Sequence, residues 1–285
     1  MTTVAPPIEL GPERGPRARL SERDLGRLAE AVHAAAGITL GPEKRTMIEA
    51  RLAKLARRTN RPLATLLREV EQDRDGPAMS DLLDVLTTNY TSFFREADHF
   101  AWLTDRWLPA AVAERRPLGV WCAAAATGEE PCSLAISLHE GAERLGATAP
   151  TIHATDISRR ALEVATAGVY PIGHVATMDP ARVRRWFQRG VGARDGWVRV
   201  KRELASAIDY GRHNLLEGAP IRGLDLIFLR NVLIYFDDAT QTRVLDNMYE
   251  ALSPGGYLVI GHAENVRRLR HRFVMRTHTL LEKAP

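Results

Sequence analysis

Residues 127–137 read TGEEPCSLAIS. A short apolar run, GVWCAAAA, precedes them and an apolar helical run follows, so the stretch reads as a strand-to-helix turn. Such turns often hold a phosphate, because free N–H groups and the helix dipole attract anions. Here two carboxylates, Glu129 and Glu130, occupy that place, and the only glycine of AAAATGEEP is Gly128, so GxGxxG is absent. Two acids would repel a pyrophosphate and favour a ligand with a cationic group. A capping box, with Thr127 as N-cap and Pro131 nearby, would also account for Glu130. It leaves Glu129 unexplained.

Outward from this turn the chain alternates. LGVWCAAA, TIHATDI, LDLIFLRNV and GYLVIGHA are β-like runs, separated by EEPCSLAISLHEGAERLG, SRRALEVATAG and DATQTRVLDNMYEALS, which are helical. That order predicts a mostly parallel sheet with helices on both faces, an α/β fold. Residues from about 172 to 212, including GVGARDGWVRVK, interrupt it and read as a small inserted unit with a turn and a strand. Residues 21–92 read as four short helices with short connectors, the first opening on Ser21 and closing at Gly37. Residues 1–20 are rich in Pro and Gly and read as a flexible tail, and 93–285 form the second domain.

The bulk numbers are those of an ordinary globular protein: 285 residues, 45% hydrophobic, 26% charged, formal net charge +4. That mild excess does not demand nucleic acid. The two cysteines, Cys122 and Cys132, form no CxxC, so neither a disulfide framework nor a metal site is expected. No apolar run reaches the roughly 18 residues of a membrane span. The N-terminus lacks the apolar stretch of a signal peptide. A cytoplasmic protein without membrane insertion is expected.

Open parallel sheets bind ligands at the carboxyl ends of their strands. After the second strand stands Asp156, in HATDIS, 28 residues beyond Gly128. An acid there commonly bonds ribose hydroxyls; alternatively, Asp156 or Ser158 caps the next helix. LDLIFLRNVLIYFD ends its strand on Arg230 and Asn231, which would face the cleft or cap the following segment. LSPGGYLVIG reads as a helix end, a turn and a strand. Together these features suit a nucleoside-bearing cationic cofactor, and S-adenosylmethionine fits. Spacing alone leaves a dinucleotide open.

Five stretches in register, TTNYTSFFREADHF, WCAAAATGEEPCSLAI, ATDISRRALEVATAGVYP, LRNVLIYFD and LSPGGYLVIGHAENV, resemble the CheR-type chemotaxis receptor methyltransferases. The resemblance runs from about residue 21 to the C-terminus. It implies an all-α N-terminal domain, then a Rossmann-like S-adenosylmethionine-dependent methyltransferase domain with a small inserted β-subdomain. It also implies methyl esterification of glutamate side chains on cytoplasmic helices of methyl-accepting chemoreceptors, with S-adenosylhomocysteine as product. Carried over by motif, Asn89, Thr91 and Arg95 would border the cofactor. Glu129 would hold its amino end and Asp156 its ribose. Asn214 and Leu215 would sit by the adenine, Arg230 and Asn231 would flank the methionine part, and Tyr235 would face the incoming glutamate. Arg95 and Tyr235 would position the reactants. Ala126 and Cys132 depart from the family, which often has a small polar residue and a tyrosine there. In some members the inserted subdomain grips a receptor tether peptide.

KRTMIEARLAKLARR is basic. At about 100° per residue, Lys44, Arg51, Lys54, Arg58 and Arg61 fall within about 100° of arc on one helix, beside an apolar stripe of Ile48, Leu52 and Leu55. That face is either an ordinary solvated one or a docking surface for acidic receptor helices. A cofactor-binding scaffold without turnover, and a methyltransferase acting on nucleic acid, are the competing readings. The weak net charge and the lack of basic–aromatic interleaving oppose the latter. A monomer is expected.

Overall fold

The computed structural model describes residues 20–74 and 76–284. The tail expected at 1–20 lies outside the described residues except for Leu20, which is buried and donates its N–H to Glu49 Oε1 at 3.1 Å. Helix α1 (Glu22–Ala36) opens where Ser21 Oγ accepts the Asp24 N–H and closes on Gly37 at φ 71. That is a left-handed conformation glycine adopts without a Cβ penalty. A 3-10 turn, Pro42–Lys44, leads into α2 (Arg45–Thr59), followed by α3 (Leu63–Gln72) and α4 (Pro77–Leu86). Leu28 and Val32, Ile48, Leu52 and Leu55, Leu66 and Val70, and Met79 and Leu82 recur at helical spacing and share one core. Each such side chain contributes about 1.5–3 kcal/mol on burial.

After α4, helix α5 (Ala97–Trp102) runs through a π turn (Leu103–Trp107) into α6 (Leu108–Ala113). Then come β1 (Val120–Cys122), α7 (Glu129–Arg144), β2 (Ile152–Asp156), α8 (Arg159–Ala167) and β3 (Val169–Pro171). They are followed by α9 (Pro180–Trp186), β4 (Phe187–Arg189), β5 (Trp197–Val200), α10 (Arg202–Ala205) and β6 (Ile208–Arg212). The chain ends with β7 (Leu224–Leu229), α11 (Asp238–Ala251), β8 (Leu252–Ile260), β9 (Val274–Met275) and β10 (Leu280–Glu282).

The main sheet has the order β6-β2-β1-β7-β8-β10-β9. The first five strands are parallel, while β10 pairs antiparallel with β8 and β9. Alternate residues of the central strands enter separate cores. Cys122 and Phe228 pack with Leu134 and Leu138 of α7, whereas Trp121 and Ile227 pack with Val244 and Met248 of α11. Helices therefore cover both faces, as the alternation predicts.

Three boundaries differ from the sequence reading. The inserted sheet is β3-β5-β4, so it begins at Val169 and its last strand ends at Val200. Residues 208–212, expected inside the insertion, form β6 on the edge of the main sheet. Its side chains are mostly exposed, which removed the apolar signal. The Pro254–Gly256 turn is instead drawn into β8, where the ladder to β7 skips register between Leu224 and Leu226.

Candidate active site

At the carboxyl ends of β6, β2, β1 and β7, where the strand order reverses, a cleft encloses about 880 Å³ of space, part of it open to solvent. The helical domain closes one side with Ala36, Ile38, Leu86 and Thr87. The domains are tied there: Ile38 bridges Phe236, the Thr39 N–H donates to Tyr235 O at 2.9 Å, and Asn214 Nδ2 donates to Ala35 O at 2.8 Å.

Every residue assigned from the motifs to the cofactor or to catalysis lines this cleft except Glu129. Neighbouring helical residues point about 100° apart, so α7 cannot aim both acids at one place. Glu129 turns to the inserted unit, accepting from Thr127 Oγ1 at 2.6 Å and lying 3.1 Å from His174 Nδ1. Glu130 faces the cleft instead. Nor is it a capping residue, because Gly128, at φ 99, precedes the helix with no side-chain cap. A Cβ at Gly128 would meet Tyr170 Oη at 2.7 Å, so the turn needs glycine both for its φ and for its space.

Glu130 Oε2 accepts from Arg230 Nη1 at 2.9 Å. Arg230 Nη2 donates to Glu96 Oε2 at 2.9 Å and to Arg95 O at 2.6 Å, and its side chain is 0% exposed. One guanidinium is shared by two carboxylates, and Arg95, whose Nε lies 3.9 Å from Glu96 Oε1, brings a second cation to the same wall, where Asp156 also stands. Burial works against the charge on Arg230, but Glu130 and Glu96 raise it above its ordinary value. Burial alone would raise Glu96; the Arg230 hydrogen bond and charge hold it below the usual carboxylate range. Asn231 sits at φ 58 and donates Nδ2 to Glu96 Oε1 at 3.2 Å, so neither residue caps the segment after β7.

Asp156 accepts the N–H of Ala126 at 2.8 Å and of Ser158 at 2.9 Å, while Ser158 Oγ caps α8 through the Ala161 N–H. Burial pushes the Asp156 carboxyl up, and those N–H groups pull it back. Asn214 and Leu215 follow β6. Asn89, Thr91 and Arg95 come from the link after α4, with Asn89 Nδ2 donating to Ser158 Oγ at 3.4 Å, and neither Asn89 nor Thr91 caps a helix. Tyr235 lines the same cleft. Cys132 is buried against Tyr210, away from the cleft, so the departure there does not touch its wall.

The basic face of α2 is smaller than expected. Lys44 belongs to the 3-10 turn and Arg61 follows Asn60, whose left-handed φ of 51 ends the helix, so the helical phase does not extend to either. Lys44 stands 5.9 Å from the Tyr235 ring centroid, and Arg61 pairs with Glu69 at 3.1 Å. Arg51, Lys54 and Arg58 line a second groove with Arg160 of α8, and Thr87 and Asn89 belong to both this groove and the cleft. Glu96, His99 and His262 offer ligand atoms within 4.8 Å of one another. Glu96 is already held by Arg230 and Asn231, so the group is poorly disposed to take a cation.

Reasoning from sequence missed Glu96, Glu130 and Glu264 as parts of the site. Helix phase could have found Glu130. The others act across long sequence separations and carry no local signal.

A Rossmann-like sheet, an all-α domain closing its cleft and carboxylates at the carboxyl ends of its strands, suited to a sulfonium amino acid, define an S-adenosylmethionine-dependent methyltransferase. Comparison agrees: residues 89–280 match the CheR methyltransferase, SAM binding domain, and residues 23–87 the CheR methyltransferase, all-alpha domain. The chain is 38% identical over 272 residues to the chemotaxis protein methyltransferase of Escherichia coli, covering 93% of this chain and 92% of that one. It is also 38% identical to chemotaxis protein methyltransferase 2 of Pseudomonas aeruginosa, covering 88% and 89%. The chain belongs to the CheR family of chemotaxis methyltransferases.

Proposed function

We propose that this chain transfers the methyl group of S-adenosylmethionine to glutamate side chains on cytoplasmic helices of chemoreceptors, acting as a monomer in the cytoplasm. The observation that carries the reading is a cleft wall bearing Glu130 and Asp156 next to a basic groove that shares Thr87 and Asn89 with it. When bound, the cofactor supplies an electrophilic methyl group on a cationic sulfur. Glu130, in place of Glu129, takes the cofactor's ammonium group and Asp156 its ribose. Asn214 and Leu215 border the adenine, and Arg230 and Asn231 the methionine part. Asn89, Thr91 and Arg95 complete the wall.

A glutamate carboxylate is already ionised near pH 7, so no residue has to act as a base. Arg95 and Tyr235 align the attacking oxygen, and alignment supplies most of the acceleration. Arg51, Lys54 and Arg58 draw acidic receptor helices to the groove. Among the described residues no helix is long and apolar enough to cross a membrane.

Labelled S-adenosylmethionine offered with receptor-bearing membranes should yield base-labile methyl esters on the receptor. Label on RNA, or binding without transfer, would overturn the reading. In calorimetry with S-adenosylhomocysteine, Glu130→Ala should cost at least about tenfold in affinity, the weight of one charge-assisted hydrogen bond. Glu129→Ala should cost much less. The reverse order would return the ammonium contact to Glu129.

A further inference from the structure

The loop 230–236, which supplies Arg230, Asn231, Val232, Tyr235 and Phe236 to the cleft, has little regular secondary structure to hold it. Its backbone groups are met by two buried side chains from elsewhere. Glu264 Oε1 accepts the N–H of Val232 at 2.8 Å and of Leu233 at 2.7 Å, and its Oε2 accepts the N–H of Gly261 at 2.5 Å. From the other side, Gln241 of α11 donates Nε2 to Leu233 O at 3.0 Å and Phe236 O at 2.9 Å. Glu264 is 4% exposed and does not line the cleft. The two segments it joins approach closely: a Cβ on Gly261 would fall 2.5 Å from Asn231 Nδ2 and 3.1 Å from its backbone nitrogen. Asn231 is held at φ 58, in the left-handed region that Asn enters more readily than most non-glycine residues.

We propose that Glu264 is a positioning residue for the cofactor cleft: its carboxylate clamps the exit of β8 to the start of the loop after β7 and so fixes where Arg230 and Asn231 stand. A carboxylate suits this because it offers acceptors on both oxygens and no donor to oppose three N–H groups. Burial pushes its carboxyl up and the surrounding N–H groups pull it back, leaving it at about 7. A glutamine would keep the volume but turn an amide N–H toward one of the N–H groups. The inference rests on this cleft holding S-adenosylmethionine and is independent of which acceptor receives the methyl group.

The test is calorimetric titration of S-adenosylhomocysteine into wild type, Glu264→Gln and Gly261→Ala, with circular dichroism to establish that each is folded. Glu264→Gln should raise Kd about tenfold, one charge-assisted hydrogen bond's worth. In turnover assays KM for S-adenosylmethionine should rise in step, with kcat at saturation within about threefold of wild type. A merely structural residue would not produce that split. Gly261→Ala presses on Asn231 from the same joint without altering the carboxylate, and should raise Kd in the same direction. If Glu264→Gln does not fold, Gly261→Ala decides. A folded variant with wild-type Kd, or one that loses kcat with KM unchanged, overturns the proposal.

Discussion

The cofactor cleft and the outer face of α2 both gather charge, and they treat it in opposite ways. In the cleft Arg230 and Asp156 are buried and held by several protein partners, Arg230 by Glu130, Glu96 and the Arg95 carbonyl, Asp156 by two N–H groups, while Arg95 stays partly exposed. On α2, Lys54 and Arg58 are exposed, and the carboxylate paired with Arg58, on Asp81, is 3.9 Å away. Desolvation explains the contrast. A charge withdrawn from water must recover its solvation from fixed partners, so its position is determined. A charge left in water needs none and stays mobile. The first arrangement suits a small ligand whose atoms must be placed. The second suits an encounter with a large acidic partner, where the field matters more than the geometry.

Breaking the buried arrangement should cost most. Arg230→Met leaves Glu96 and Glu130 facing each other in the interior without their shared cation. The expected loss is about 3–5 kcal/mol in urea unfolding. Adding Glu130→Gln should recover part of it, because one uncompensated charge disappears. A single variant as stable as the wild type would remove the basis of the comparison.

His99 probes the same cluster through pH. It is buried beside Glu96 and Asp98, and burial first, then the Arg230 charge, lower its pKa to about 4. The unfolded imidazole titrates near 6.5. Between those values the unfolded chain binds the proton and the folded one does not, so stability falls as pH drops from about 6.5 to about 4. The full loss is about 3 kcal/mol. His139 and His213 are also lowered by burial and add slope of the same sign. The difference between wild type and His99→Gln therefore isolates the His99 part. Parallel stability–pH curves for the two would sink the assignment.

The contrast also governs what the sequence can reveal. Strand–helix alternation located the sheet, and the rule that ligands sit at carboxyl strand ends located Asp156, Arg230 and Asn231, because these depend on local pattern. Burial partners do not. Glu264 meets Val232 and Leu233 across 32 and 31 residues, and Arg230 meets Glu96 across 134. The β6 strand was hidden because it lies on the sheet edge and exposes most of its side chains. The short antiparallel pair β9 and β10 left no readable alternation either. On α2 the difference runs the other way: helical phase does not extend to Lys44, which caps the start of the helix, or to Arg61, which lies beyond its C-cap Asn60.

The smallest effects belong to α2, and Arg51 is the wrong place to look for them. Its Nη1 donates to Leu86 O at 2.8 Å and Thr87 O at 3.1 Å, so it finishes α4 beside the cleft, and reversing its charge would disturb that wall. Lys54 and Arg58 are free of that duty. Changing both to Glu should alter unfolding free energy by less than about 1 kcal/mol, as exposed ion pairs do, and leave the affinity for S-adenosylhomocysteine unchanged. The rate of receptor methylation should still fall severalfold at low salt. Raising the ionic strength from about 0.05 M to about 0.5 M shortens the screening length severalfold, so the gap to wild type should close. Arg61→Ala, outside the groove and paired with Glu69, should leave the rate alone. A gap that persists at high salt, or one accompanied by weaker cofactor binding, would mean that these side chains place the acceptor by contact, and α2 would then belong with the cleft instead of opposing it.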